Sequence, residues 1–160
     1  LLPTAEQIYE PEKYFSGEIY EEVGIKDLIV TDYNLVKEGT VSALDIPYIL
    51  QDTIGRVASV KAAIGLGGGA WKDYVNSSQQ LMMSLKMTGD TPEDLEEIYN
   101  AYLAWANAQT RFTSVESFEG GILFIGDTNI WISSDGKYIR MLLTQNVEIF
   151  NEIISQINSF

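Results

Sequence analysis

Histidine and cysteine are both missing from this chain of 160 residues. Without histidine, a Ser-His-Asp triad is impossible and no side chain has an ordinary pKa close to neutrality. Without cysteine, thiol nucleophiles, disulfide bonds and the common zinc ligand sets are excluded. Any chemistry must therefore use carboxylate, hydroxyl, amide, lysine, arginine or aromatic groups.

Basic residues are scarce as well, with 10 lysines and arginines against 23 acids and a net charge of −13. The arginines Arg56, Arg111 and Arg140 are scattered along the chain. Nucleic acids and anionic membrane surfaces attract clustered basic residues, so neither is expected as a partner. The acid excess favours cationic partners or divalent cations, although a solubilising surface is the commoner reason for it.

Long apolar runs are also lacking, since no stretch approaches the roughly 20 residues that cross a bilayer. Hydrophobic residues make up 46% of the chain, enough for a core. The sequence therefore predicts one globular domain over residues 1–160. Residues 1–24 are acidic and aromatic, and we expect them to form a peripheral segment.

The chain begins with Leu1, and a methionine followed by leucine is normally not trimmed. We therefore expect a processed product or an excised domain that acts outside the cytoplasm, secreted or anchored through a segment beyond this sequence. The lack of cysteine is compatible with an oxidising exterior. A cytosolic fragment is the alternative.

The pattern of apolar residues predicts an α+β fold with a central group of three helices. The first predicted helix follows Asp45, the second spans Trp71 to Met87, and the third runs from Thr91 to about Phe112. A C-terminal three-stranded antiparallel meander is expected over residues 122–143, with a hairpin turn at Asp135-Gly136. A terminal helix is expected through about Ile157.

Residues Gly65 to Ala70 satisfy the G-x-G-x-x-G/A pattern of dinucleotide-binding loops. That motif requires a preceding strand, whereas residues 58–64 read as the end of a helix. We therefore interpret the glycines as a hinge between two helices. A P-loop is excluded because its lysine and hydroxyl are absent.

Acidic residues offer weak candidates for catalysis or metal binding. The densest group includes Glu93, Asp94 and Glu97, although acids in the first turn of a helix are expected from the helix dipole. Asp127 and Asp135 lie in predicted turns and are the candidate ligands for calcium. These five residues are the candidates of an alternative function, a carboxylate-dependent hydrolase or a divalent-cation-binding protein.

Large aromatic residues are the candidate ligand-binding groups: Trp71, Tyr74, Trp105 and Trp131. Such side chains line sugar and organic-ligand pockets, but they are found more often in a core or a protein interface.

No catalytic motif accompanies these residues, so enzyme activity is not expected. The sequence predicts a non-enzymatic extracytoplasmic domain that binds a small ligand or a protein partner, for example as the exterior part of an anchored sensor or lipoprotein. A cytosolic scaffold or regulatory module is a further alternative, in which an exposed strand edge mediates assembly.

Overall fold

The fold is organised around an antiparallel sheet of seven strands. The computed structural model describes residues 21–160 and, before them, only Glu12 and Phe15, both helical. The strands are β1 (Tyr33–Thr40), β2 (Leu66–Asn76), β3 (Leu81–Gly89), β4 (Phe112–Phe118), β5 (Gly121–Gly126), β6 (Asn129–Ser134) and β7 (Ile139–Thr144). Their spatial order is β1-β2-β3-β7-β6-β5-β4, with every neighbouring pair antiparallel.

The helices within residues 21–160 are α1 (Asp45–Ile54), α2 (Arg56–Ile64), α3 (Pro92–Asn107) and α4 (Ile149–Glu152). The predicted arrangement of a central three-helix group with a separate three-stranded meander is therefore wrong. Strands β5, β6 and β7 are indeed consecutive neighbours, but β4 and β3 flank them within one larger sheet. The predicted peripheral segment 1–24 falls mostly outside the described residues.

The largest error concerns residues 71–87, which form the β2–β3 hairpin and not a helix. Leucine, methionine and lysine are strong helix formers, and they dominate β3. The hairpin instead follows a period of two, because Trp71 and Asp73 point to one face while Tyr74 points to the other. Pairing of β3 with the distant β7 then stabilises the extended conformation.

The glycine run lies within β2 and is not a helix-to-helix hinge. Glycine is required there because other backbone segments approach very closely. A Cβ atom on Gly68 would lie 2.1 Å from the carbonyl oxygen of Glu21, and one on Gly67 would lie 2.8 Å from the backbone of Gly89. The Glu21 N–H donates to the Gly67 carbonyl at 2.7 Å, which fixes the incoming chain against β2.

Two local predictions are confirmed. Helix α3 starts after Thr91, whose side chain forms a capping box with Asp94, although the helix ends at Asn107 and β4 follows. The Asp135-Gly136 turn joins β6 to β7, and Gly136 has the positive φ of 83° that favours glycine.

The sheet is covered on both faces. We call the side against which α1, α2 and α3 pack the helix face. The other side is the tail face, where residues 25–30 and the C-terminal residues 149–160 pack. The predicted terminal helix shortens to α4, and turns continue to residue 159. No helix within residues 21–160 combines the length and apolar character needed to span a membrane.

Candidate functional site

A cavity of about 320 Å³ lies on the helix face, between α1 and the β2–β3 hairpin. We refer to it as the helix-face cavity. Its apolar wall is formed by four side chains: Val41, Ile49, Met83 and Leu85. The alternation of β3 directs Met83 and Leu85 to this side, while the first turns of α1 supply the opposite wall.

Two carboxylates, from Asp45 and Asp73, also line the cavity. Asp45 begins α1, and its carboxylate accepts a hydrogen bond from the Ser42 backbone N–H at 2.8 Å. Asp73 lies in the middle of β2, where burial raises the pKa of its carboxyl group and the charge of Lys37 opposes the rise. None of the described residues that line this cavity is basic.

Trp71 lies at the border between the cavity and strand β1. Its indole Nε1–H donates to the Thr40 carbonyl at 3.1 Å, and the Lys37 ammonium lies 5.4 Å from the ring centroid. Gly39 is required opposite the ring, because a Cβ atom there would come within 2.8 Å of the indole. The ring is therefore held in place while remaining partly accessible from the cavity. Tyr48, on α1, forms the rim and is 83% exposed.

Tyr102, from α3, also lines the cavity and is only 2% exposed. Its hydroxyl group finds no hydrogen-bond partner in the described part of the chain. Burial, with a smaller contribution from the Asp45 charge, raises the pKa of Tyr102 far above neutrality, so the hydroxyl stays protonated. A buried hydroxyl without a partner costs about 1–3 kcal/mol. The oxygen itself is shielded from solvent, so other atoms of Tyr102 line the cavity.

A second cavity of about 260 Å³ adjoins the first and shares Asp73 and Met83 with it. The remaining lining residues are Leu81, Thr128, Leu143, Thr144 and Gln145. Leu81 is 57% exposed, so this end of the helix face is open to solvent. The two cavities together form a groove across β2, β3 and β7, with Asp73 between them.

The structure does not bring the four predicted ligand-binding aromatics together. Only Trp71 lines the cavity. Tyr74 and Trp131 are buried on the tail face, and Trp105 packs edge-to-face against Tyr102 within α3, with 6.4 Å between ring centroids. Trp105 therefore supports a cavity residue but is not itself part of the lining.

The predicted calcium ligands lie at opposite ends of β6 and cannot share one ion. Asp127 is exposed in the β5–β6 turn. Asp135 accepts a hydrogen bond from the Arg140 guanidinium at 2.7 Å. Although burial opposes the shift, the Tyr138 N–H, Arg140 and the Lys137 N–H lower the pKa of Asp135 to about 2. Across residues 21–160, no group of three or more acids is placed to hold a metal ion.

The acids of α3 have structural roles. Asp94 belongs to the capping box, and Glu97 pairs with Lys61 of α2. Glu93 lies in the first turn, where a negative charge complements the helix dipole. These contacts explain the local excess of acid without a catalytic role.

Sequence reasoning missed the residues that make the cavity: Asp45, Tyr48, Asp73, Met83 and Tyr102. The spacing of two residues between Trp71 and Asp73 places them on one face of a strand, so the sequence indicates this pair once β2 is recognised as a strand. The lack of a partner for the Tyr102 hydroxyl has no signature in the sequence, because it depends on what the fold places around that atom.

Comparisons with protein-family models, with curated proteins and with solved structures return no match. The chemistry of the cavity is therefore the basis for a functional assignment.

Proposed function

We propose that this protein is a non-enzymatic binding domain that takes a small organic molecule into the helix-face cavity. The observation that carries the proposal is a cavity with a mainly apolar wall into which two carboxylates, from Asp45 and Asp73, are placed. Ligand pockets typically have volumes of about 300–1,000 Å³ and combine apolar walls with a few polar groups. A cavity of about 320 Å³ suits a compact ligand.

Binding is favoured over catalysis by the state of the polar groups. The raised pKa of Tyr102 keeps its hydroxyl protonated and weakly nucleophilic. Asp45 already accepts a backbone hydrogen bond at the start of α1. The carboxylates predicted for hydrolysis have other roles: Asp94 caps a helix, Glu97 pairs with Lys61, and Asp135 binds Arg140. They therefore give the hydrolase alternative no support.

An extracytoplasmic location belongs to the same proposal, with the domain presenting its cavity to ligands outside the cytoplasm. The supporting feature is the absence of cysteine, because the chain carries no thiol to oxidise there. Fractionation of the cells tests the location. Recovery in the medium or the cell envelope is expected, and recovery in the cytoplasmic fraction would contradict it.

A thermal-shift screen with small organic molecules of different charge tests the binding function. A ligand at about one hundred times its Kd stabilises a protein by about 2.7 kcal/mol, which raises Tm by several degrees in a chain of this size. Met83→Trp places a large ring where the two cavities meet, so it should abolish the stabilisation.

Val115→Trp is the matched control, since Val115 is 54% exposed on β4, away from both cavities. This variant should respond to ligand as the unmodified protein does. The proposal is wrong if no compound raises Tm, or if the active compounds stabilise Met83→Trp equally.

A further inference from the structure

We infer that the ligand is a small organic ammonium compound whose charged nitrogen binds at Asp73 and whose apolar body lies against Trp71 and Leu85. This inference rests on the proposed function and adds the chemical class of the ligand. Three properties of the site support it: its charge, the lack of hydrogen bonds from the described residues to Asp73, and the aromatic border.

The charge of the lining comes from Asp45 and Asp73 alone, since its other side chains are neutral. Lys37 is the cross-strand neighbour of Asp73 and the base that acts on it, and its ammonium lies 5.4 Å from the centroid of the Trp71 ring. One base beside two acids leaves the site negative, within a chain of net charge −13. An anionic ligand would therefore be repelled, and a cation attracted.

Asp73 differs from Asp135 in how its oxygens are satisfied. Asp135 accepts hydrogen bonds from two backbone N–H groups and from Arg140. The Asp73 carboxylate accepts none from residues 21–160, and burial raises its pKa. A neutral ligand would remove more water from this carboxylate without replacing the lost hydrogen bonds. An ammonium group replaces them with charge-assisted ones, which are stronger than neutral hydrogen bonds.

The aromatic rings suit the same ligand. Trp71 and Tyr48 present ring surfaces at the border and rim, where they can pack against an apolar body or attract a positive charge. The limited cavity volume favours a ligand with one ring or a short alkyl chain.

Calorimetric titration with three compounds of one carbon skeleton tests the charge requirement: phenethylamine, phenethyl alcohol and phenylacetate. At neutral pH these carry a positive charge, no charge and a negative charge. Phenethylamine should bind at least about tenfold more tightly than the alcohol, because a hydrogen bond to a charged group is worth more than a neutral one. Phenylacetate should give no measurable binding.

Asp73→Asn tests the residue that carries the inference. The variant should bind the amine and the alcohol with similar affinity, while the alcohol itself is little affected. Asp52→Asn is the matched control, because Asp52 is an exposed acid of α1 outside the lining. It removes the same formal charge and should keep the preference for the amine.

The amine affinity of the unmodified protein should also fall as the pH is lowered through the pKa of Asp73, because the carboxyl group is protonated and neutral below that pKa.

The outcomes separate the ligand class from the binding function. Equal affinity for amine and alcohol in the unmodified protein, an unchanged preference in Asp73→Asn, or screen hits that are all neutral or acidic would overturn the ammonium assignment. The cavity would still be a binding site in each of these cases. No binding by any compound in the screen or the series would overturn both proposals.

Discussion

The two faces of the sheet contain tyrosines that are equally buried but differently satisfied. Tyr74 on the tail face and Tyr102 on the helix face are each 2% exposed. The Tyr74 hydroxyl accepts a hydrogen bond from the Leu28 N–H at 3.0 Å, whereas the Tyr102 hydroxyl has no partner within the described residues. The tail face also contains hydroxyl groups without a partner among the described residues, those of Tyr33 and Ser84. Tyr102 differs from them because it belongs to the lining of the helix-face cavity.

The tryptophans show the same contrast. Trp131 on the tail face is fully buried, donates its indole N–H to the Phe118 carbonyl at 2.8 Å and packs against Phe160. Trp71 on the helix face is only partly buried and borders the cavity. Large aromatic side chains of one type thus serve as core on one face and as accessible lining on the other.

The largest expected difference between the faces comes from removing these rings. Trp131→Ala should lower the free energy of unfolding by about 3–5 kcal/mol, because it leaves a large cavity in a closed core. Trp71→Ala should cost less than about 2 kcal/mol, since the ring is already partly exposed. Guanidinium denaturation of both variants measures the two values. Equal losses would show that the helix face is packed as tightly as the tail face.

A smaller difference is expected for the tyrosine hydroxyl groups. Tyr74→Phe leaves the Leu28 N–H buried without a partner and should cost about 1–3 kcal/mol. Tyr102→Phe removes a hydroxyl that has no partner to lose, so stability should stay within about 0.5 kcal/mol or increase. Urea denaturation distinguishes them. A comparable loss in Tyr102→Phe would mean that its hydroxyl is already hydrogen-bonded in the free protein.

The smallest effects are those of pH on Asp135 and Asp73. The lowered pKa of Asp135 contributes stability above its unfolded pKa, and this is lost as the pH falls from about 4 to about 2. Because Asp135 is 47% exposed, screening should keep the contribution below about 1 kcal/mol. The raised pKa of Asp73 acts in the opposite direction, since stability is lost as the pH rises through it.

Melting curves of Asp135→Asn and Asp73→Asn at several pH values check the direction of both effects on stability. Asp135→Asn should reduce stability at neutral pH and flatten its fall in acid. Asp73→Asn should preserve or raise stability at neutral pH. A loss of stability in Asp73→Asn at neutral pH would show that the carboxylate already has a favourable partner.

Local signals in the sequence predicted elements whose ends are determined by nearby side chains. Thr91, Pro92 and Asp94 specify the start of α3, and Asp135-Gly136 specifies a hairpin. The β2–β3 hairpin was not predicted because residues 81–87 favour a helix by themselves. Only their pairing with β2 and β7 makes them extended. The glycines of β2 were misread for a similar reason, because the backbone that approaches them comes from residues 21 and 89.

The candidate site depended still more on tertiary structure. Trp71 was identified from its type, but its neighbours in the cavity come from α1, β2, β3 and α3. The sequence predicts a helix that starts near Asp45 and another that contains Tyr102, and both are present. Neither prediction reveals that the two residues line one cavity. Unmet hydrogen bonding is a property of the folded surroundings, so it could not be found from residue spacing.

The most direct test of an open helix face and a closed tail face is to follow the indole N–H resonances during a ligand titration. Trp71, Trp105 and Trp131 are the three reporters in an isotope-labelled protein. With phenethylamine or the best compound from the screen, the Trp71 signal should shift and saturate while the Trp131 signal stays in place. A shift confined to Trp131, a similar shift of all three signals, or no shift at saturating concentration would contradict the account.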